Sequence, residues 1–442
     1  MVEVWFGDWS RSLPGALGWG AMAENERSFR APRGTFDVLP PQSWARAAIA
    51  RLAMDTFALS GYAPIETPIF EHTEVFERGV GPGSDVVTKQ MYTFTDRAGR
   101  SLTLRPELTA GVVRAVLEHG LDRGPLPIKL ACIGPQFRQE RPQKGRYRQF
   151  TQIDIEALGS EEPIVDAEVV EVGMRFFRKA GLSVRLLINS VGHFDESCRL
   201  GYNKVLGEFL RANESALAPD DRARIETNPL RTFDSKEQRT VAVMRGAPLI
   251  SDHICDDCRT HFSAVLDLLK SVDVSFEHEP RLVRGLDYYT RTTFEFIAGG
   301  LGSQNAVGGG GRYDGLAESL GGGPLTGIGF ALGVDRILLA LGEEGTASTG
   351  PVAVYFVALG EAARVEAFKR VASLREAGIG ADLDLGARGM KGQMKDADRS
   401  GARWAAILGE SEMAAGEVML KDLVAGEQER IRMDDLAGRL AR

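Results

Sequence analysis

Five basic side chains crowd one short segment of this chain. Arg138, Arg141, Lys144, Arg146 and Arg148 lie in GPQFRQERPQKGRYRQFTQIDIEALG, residues 134–159, with Glu140 the one carboxylate among them. Arginine meets phosphate with a planar fork of N–H donors, so the concentration points to a polyanion rather than to a solvated hairpin tip. The residues that follow alternate strictly. Side chains of a strand point to opposite faces in turn, which puts Ile153 and Ile155 on one side and Gln152, Asp154 and Glu156 on the other. A cationic loop feeding a strand with one polar face suits a phosphate group held beside a small polar ligand.

Two further arginines stand in settings of the same kind. Arg284 belongs to RLVRGLDYYTR, where Gly285 allows a turn and Tyr288 and Tyr289 follow; Arg336 follows GIGFALG at the expected start of a helix. Arg138, Arg284 and Arg336 together form a candidate triphosphate set. The sequence has no GxxxxGK[ST], which excludes a P-loop. GIGFALG is spaced GxGxxxG and has no acidic partner about twenty residues on, so a dinucleotide site is not expected. Its glycines read instead as close packing of one strand on a neighbour. Cys255 and Cys258 form a CxxC inside HICDDCRTH, between His253 and His261. Zinc sites usually draw two ligand pairs from separated segments, and no second pair is evident, so the reading assigns no metal there and takes the thiols as small buried groups at a helix start.

The elements that must position these groups read as follows. PQSWARAAIARLAMDTFALS (41–60) is a helix stopped by Gly61, and YAPIETPIF is an extended edge segment broken by Pro64 and Pro68. Strands are expected at MYTFTD and SLTLRPE, a helix at TAGVVRAVLEH (109–119), and long strands at 128–137 and 149–158 around the basic loop. Residues 193–274 read as a charged helical insertion. Strands return at Arg281–Val283 and TTFEFIA, followed by the glycine runs 308–311 and 321–323, and GIGFALGVDRILLAL is a strand running into a helix. Arginine-bearing antiparallel strands with interposed helices make this region α+β rather than doubly wound. GEEGTASTG (342–350) reads as a linker. The remainder alternates strand and helix, starting from the apolar run VAVYFVAL, as a compact α/β domain does, and carries a second basic cluster: Arg388, Lys391, Lys395, Arg399 and Arg403.

Composition bounds the rest. At 442 residues the chain holds two or three domains, and its net charge of −8 confines any nucleic-acid contact to local patches. No apolar run approaches the roughly 18 residues of a membrane span. Four scattered cysteines, Cys132, Cys198, Cys255 and Cys258, favour a reducing cytoplasm over a disulfide framework. Residues 1–29, with three of the five tryptophans and no periodicity, read as a disordered N-terminal extension in which Met22 is a candidate start.

RPEL-T, FRQERPQKGRYRQF-TQIDIEALG, RGLDYYTRTTFEF and GIGFALGVDRILLAL, in this order, resemble the motifs of histidyl-tRNA synthetases, a family of class II aminoacyl-tRNA synthetases. Pro68 resembles the proline of the class's first motif, which lies at the dimer interface. The resemblance implies an antiparallel-sheet catalytic domain over residues 30–341 with a helical insertion at about 193–274, then the linker and an anticodon-binding α/β domain over 351–442. It implies ATP-dependent ligation of L-histidine to its cognate tRNA through a histidyl-adenylate, with Mg²⁺, in a cytoplasmic homodimer. Residue by residue, Arg138, Arg146 and Arg336 would hold ATP and Arg284 would act on the α-phosphate. Glu107, Thr109 and Gln152 would meet the histidine α-amino group, and Glu156, Tyr288, Tyr289 and Tyr313 would surround the imidazole. Leu108, also placed at the histidine site, stands where the family often has glycine, and this departure weakens the backbone contact expected there. The tip of the basic loop, Gln143 to Arg146, would face the acceptor end of tRNA. The other reading is a non-catalytic synthetase-like regulatory subunit of histidine biosynthesis, which lacks the C-terminal domain and parts of the motifs; this chain keeps both.

Overall fold

The computed structural model describes residues 29–81, 84, 86–286, 288–301, 305–346, 352–386 and 388–441. The expected N-terminal extension therefore lies outside the described residues, apart from Phe29, as do residues 347–350 of the expected linker. Two compact units separate, one containing Phe29–Asp37 and Arg46–Gly345, the other Val38–Ala45 and Thr346–Arg442.

In the first unit the strands are β1 (Ala63–Pro64), β2 (Phe70–His72), β3 (Tyr92–Thr95), β4 (Ser101–Leu104), β5 (Ile128–Phe137), β6 (Gln149–Leu158), β7 (Val184–Ser190), β8 (Glu277–His278), β9 (Thr290–Ala298), β10 (Ala306–Arg312) and β11 (Gly327–Gly333). Eight of them form one sheet in the order β1-β5-β6-β11-β10-β9-β7-β8. Its central pairs are antiparallel, and only the short edge strands β1 and β8 pair in parallel. A small antiparallel sheet, β2-β4-β3, stands apart. This is the α+β architecture that the arginine-bearing antiparallel strands imply.

The period-2 pattern decides which face of the large sheet is dry. Ile153, Ile155, Phe294, Phe296, Ile328, Phe330 and Leu332 point to one side and are buried with Ile49, Ala53 and Phe57 of the helix Gln42–Ala58, with Val169, Phe176 and Phe177 of Pro163–Lys179, and with Phe262, Val265 and Leu269 of Asp256–Ser271. Phe177 and Phe296 meet at 5.1 Å and Phe57 and Phe330 at 5.8 Å between ring centroids, distances at which tilted aromatic pairs attract. With one face sealed by helices, the opposite face is left to carry polar groups.

Between β7 and β8 the chain is helical, with α-helices Arg199–Ala212, Pro219–Arg222, Gln238–Met244 and Asp256–Ser271. Tyr202, Leu206, Leu210, Leu217, Leu230 and Met244 give this region a hydrophobic cluster of its own. The strand expected at Arg281–Val283 is absent. Pro280 removes a ladder donor, and the Asn189 amide donates to the carbonyls of Pro280 (3.2 Å) and Leu282 (3.1 Å), taking the acceptors a neighbouring strand would use. β8 forms earlier, at Glu277–His278.

The second unit holds β12 (Val354–Ala358), β13 (Ala381–Leu383), β14 (Trp404–Leu408), β15 (Glu417–Asp422) and β16 (Gln428–Arg432), in the order β13-β12-β14-β15-β16. The first three pair in parallel, as the buried run VAVYFVAL leads one to expect, and a C-terminal antiparallel hairpin missed by the sequence reading completes the sheet. Val354, Phe356, Val371, Leu374, Leu408 and Leu420 lie in its core. Part of the second basic cluster is neutralised locally: Arg388 pairs with Asp384 (3.0 Å) and Asp396 (2.5 Å), and Arg403 with Asp422 (3.3 Å).

Candidate active site

The face of the large sheet opposite the apolar one is built in rows. Across five strands, Glu295 of β9 lies opposite Gly309 of β10, Gly309 opposite Ala331 of β11, Ala331 opposite Asp154 of β6, and Asp154 opposite Cys132 of β5. The adjacent row runs Thr293, Gly311, Gly329, Glu156 and Leu130, and Gln152 lies opposite Gly333. Directly paired residues share a face, so glycine and alanine at alternate positions of the two central strands make a flat floor, with longer polar side chains on its flanks. Close approach enforces these small residues. A Cβ on Gly309 would come within 2.8 Å of Arg284 Nη1 and 2.6 Å of the Phe294 carbonyl, and one on Gly329 would overlap Glu156 Oε2. The period-2 spacing of GIGFALG carried this signal. The close packing inferred from it is real, and its consequence is a floor.

Above the floor is a cavity of about 270 Å³. Arg138, Arg146, Arg284 and Arg336 line it together with Glu107, Thr109, Gln152, Tyr288, Tyr289 and Tyr313. Residues from β6, the basic loop, the helix start at Thr109, the turn before β9 and the end of β10 thus converge, although more than 200 positions separate the first from the last. Glu156 and Leu108 do not line the cavity. Leu108 is fully buried and offers only its backbone, at the N-cap of the helix Thr109–Glu118. Glu156 lies beneath the wall, accepting hydrogen bonds from the Thr109 hydroxyl (2.6 Å) and from the Tyr313 hydroxyl.

The basic loop closes in a tight turn. Backbone bonds between Gln143 and Arg146 (3.1 and 2.9 Å) flank Gly145, whose φ of 76° a residue with a Cβ adopts only with strain. Glu140 sits between two arginines, 3.3 Å from Arg146 and 4.0 Å from Arg138. Arg138 is fixed further by its Nε donating to the Pro106 carbonyl (2.8 Å) and by stacking over Phe150 (5.3 Å). Arg284 donates to Glu295 at 2.5 Å and lies 5.8 Å from the Tyr289 ring centre. These contacts hold the cations in place before any anion arrives.

The carboxyl groups are set differently. Glu107 accepts from the backbone N–H groups of Thr109 (2.8 Å) and Ala110 (3.0 Å), so it caps the first turn of the helix while its remaining lone pairs face the cavity. Burial pushes its pKa up, against those two donors. Asp154 is raised well above the ordinary carboxylate range by burial, then by the nearby Glu156 and Glu107. Glu156 is pushed up to about 8 by burial, with the Thr109 and Tyr313 hydroxyls opposing. Sequence reasoning named Asp154 and Glu140 without giving either a part, and did not single out Glu295; all three line the cavity. Buried Gln152 Oε1, Asp154 Oδ1 and Arg284 Nε have no hydrogen-bond partner among the described residues. Orphaned polar atoms converging on one cavity are the mark of a polar ligand site.

These shifts make stability depend on pH with a definite sign. A carboxyl whose folded pKa is raised binds more protons folded than unfolded, so stability falls as pH rises from the ordinary carboxylate range toward about 8. Glu156→Gln, which cannot ionise, is expected to flatten this fall in denaturant titrations between about pH 5 and pH 8. An unchanged slope would place the titrating group elsewhere.

The CxxC pair is not confined to one segment. The fold brings His193 and Cys198 to Cys255 and Cys258, the second ligand pair that the sequence did not reveal, because about sixty residues of helical chain intervene. His261 turns away from the thiols and donates to Asp166 (2.9 Å), and the ring of His253 packs against that of Tyr202 (5.4 Å).

Comparison with known proteins follows the same lines. The family model for histidyl-tRNA synthetase matches residues 34–337, and one for an anticodon binding domain matches residues 353–442. The histidine–tRNA ligase of Rhodococcus erythropolis is 50% identical over 416 residues, covering 93% of this chain and 97% of that protein. That of Mycobacterium bovis is 50% identical over 412 residues, covering 92% and 96%. The crystal structure of apo S. aureus histidyl-tRNA synthetase superimposes with a TM-score of 0.74 at 37% identity, over 94% of this chain and all of that one. With a family model spanning most of the large-sheet unit and relatives half identical along nearly their whole length, this chain belongs to the histidyl-tRNA synthetase family.

Proposed function

We propose that this chain activates L-histidine with ATP and transfers it from the adenylate to the 3′ end of its cognate tRNA. The observation that carries the proposal is one cavity lined by four arginines, several carboxyls, an amide and three tyrosines, in which polar atoms of Gln152, Asp154 and Arg284 lack partners among the described residues. Arg138, Arg146 and Arg336 hold the ATP phosphates. Arg284 stabilises the charge that gathers on the α-phosphate as the histidine carboxylate attacks, a fixed cation needing no reorganisation at that moment. Glu107, Thr109 and Gln152 take the α-amino group, with the backbone at Leu108 beside them. Tyr288, Tyr289 and Tyr313 enclose the imidazole, and Glu156, beneath them, acts on it through the Thr109 and Tyr313 hydroxyls that it holds. An imidazole carries one donor and one acceptor, so such a pocket rejects side chains that leave its own groups unpaired.

Glu140 and Glu295 are oxygen donors beside the arginines and suit a Mg²⁺ arriving with ATP, which would neutralise the pyrophosphate leaving group. Residues 30–341 serve as the catalytic domain, with its helical insertion at about 193–274, and 351–442 as the anticodon-binding domain. The loop tip from Gln143 to Arg146 receives the acceptor end. Exposed Ile69, Phe70 and Phe94 next to Pro68 support a homodimer through this surface, the rings of Phe70 and Phe94 meeting at 6.3 Å. Free thiols at all four cysteines support a cytoplasmic setting. Among the described residues no helix is long and apolar enough to cross a membrane. Pyrophosphate exchange into ATP, with each amino acid supplied in turn, tests the reaction. Exchange with histidine alone is expected, and no exchange with any amino acid would sink the proposal.

A further inference from the structure

His193 and Cys198 lie in the segment between β7 and the helix Arg199–Ala212, Cys255 is the N-cap of the helix Asp256–Ser271, and Cys258 stands in its first turn. Their ligating atoms all lie within 4.8 Å of one another. The Cys198 and Cys258 sulfurs are 3.9 Å apart, and His193 Nδ1 is 3.6 Å from Cys255 Sγ and 3.3 Å from Cys258 Sγ. A tetrahedral zinc with Zn–S of about 2.3 Å and Zn–N of about 2.0 Å separates its ligands by about 3.5–3.8 Å, so these atoms already stand near the vertices of such a site. We propose that these four residues bind one structural Zn²⁺, which fastens the helical insertion to the catalytic sheet.

Two observations fit a metal better than a group of buried thiols. The Cys255 backbone N–H donates to Cys198 Sγ (3.2 Å) and the Cys258 N–H to Cys255 Sγ (3.5 Å), the donors that a sulfur carrying negative charge recruits. The ligands come as two pairs from separate segments, the pattern of closed Cys₃His zinc sites, and their sulfur content selects zinc over a hard cation such as Mg²⁺. Arg291 brings a positive charge to the cluster, its Nε and Nη2 donating to His193 Nε2 (3.0 and 2.8 Å). Three thiolates and a neutral imidazole around Zn²⁺ leave one net negative charge, which that guanidinium offsets. Ligation through Nδ1 places the ring proton on Nε2, so the two arginine hydrogen bonds to Nε2 give way when the metal enters.

The site also has a mechanical consequence. Arg199, next to Cys198, donates to the Tyr289 carbonyl (2.9 Å), and Arg291 lies two residues beyond Tyr289. Arg291 has a positive φ of 45°, unusual for a residue with a side chain, and is held by reciprocal backbone bonds to Val191 and Gly192 (both 2.8 Å). The metal would therefore brace the segment that supplies Tyr289 to the histidine pocket.

Metal analysis of the full chain, purified reduced and without chelator from zinc-containing medium, should find about one zinc per chain. After metal removal, titration with Co²⁺ should give the thiolate charge-transfer and visible bands of tetrahedral cobalt. Cys198→Ser and Cys258→Ser should lose most of the bound zinc, while Cys132→Ser, outside the cluster, should keep it. Should the serine variants fail to fold, the cobalt spectrum of the unaltered chain decides. Zinc far below stoichiometric together with no thiolate–cobalt band overturns the proposal, as does a disulfide within the cluster in freshly purified chain.

Discussion

Arg284→Ala is expected to slow histidine-dependent pyrophosphate exchange by about 10²–10³-fold, the range for removing one fixed donor to a developing oxyanion, while histidine affinity changes only slightly. The expectation rests on where Arg284 is held. Its guanidinium is tied to Glu295 and packed beside Tyr289, over the glycine floor at Gly309, where a side chain would collide with it. The groups assigned to the α-amino end, Glu107 and Gln152, lie on other elements and do not depend on it. Losing a charge that acts on the α-phosphate in the transition state lowers kcat more than it raises the KM for histidine. Arg284→Lys keeps a cation but loses the planar fork, and should fall between the two. Equilibrium binding of histidine beside exchange kinetics makes the check. Lost histidine binding with exchange otherwise preserved would remove Arg284 from the chemistry.

Much of this site was legible in the sequence because its residues sit in segments with strong local signals. The basic loop, the period-2 strand from Gln152 to Glu156 and the glycine-spaced β11 each announce themselves within ten residues or so. What escaped depends on pairings made across the chain. Glu295 becomes part of the site only because β9 lies beside β10 and brings it opposite Gly309, next to Arg284. The floor exists because glycines of two strands, separate in sequence, fall into the same rows. The His193–Cys198 pair was invisible for the same reason, since nothing local distinguishes a histidine and a cysteine in a loop from filler. The failed strand at Arg281–Val283 shows the converse: the Asn189 side chain took the acceptors that local pattern had assigned to a ladder.

Asp166→Ala should destabilise the large-sheet unit by about 3–5 kcal/mol, the usual penalty for removing one partner of a buried ion pair. Asp166 and Arg312 are both fully buried, with the Arg312 guanidinium directed at the Asp166 carboxylate and donating also to the Ser160 carbonyl (2.9 Å) and Asp314 (3.1 Å). His261 donates from Nε2 to Asp166 at 2.9 Å and receives Arg291 on Nδ1 at 3.3 Å, so a single network joins the helices Pro163–Lys179 and Asp256–Ser271 to β9 and β10. Without Asp166, the Arg312 charge remains in the interior with no full compensation, one residue from Tyr313 of the pocket. Burial alone would raise the Asp166 pKa, but His261 and Arg312 hold it below the ordinary value. Its contribution is therefore present above the ordinary carboxylate pKa and lost as pH falls through the depressed one. Replacing both partners, as Asp166→Ala with Arg312→Met, should destabilise by clearly less than the sum of the single changes, because no charge is left stranded. Chemical denaturation of the four proteins closes the cycle. Additive losses, or a single Asp166→Ala loss under about 1 kcal/mol, would mean that the buried pair does not organise this part of the fold.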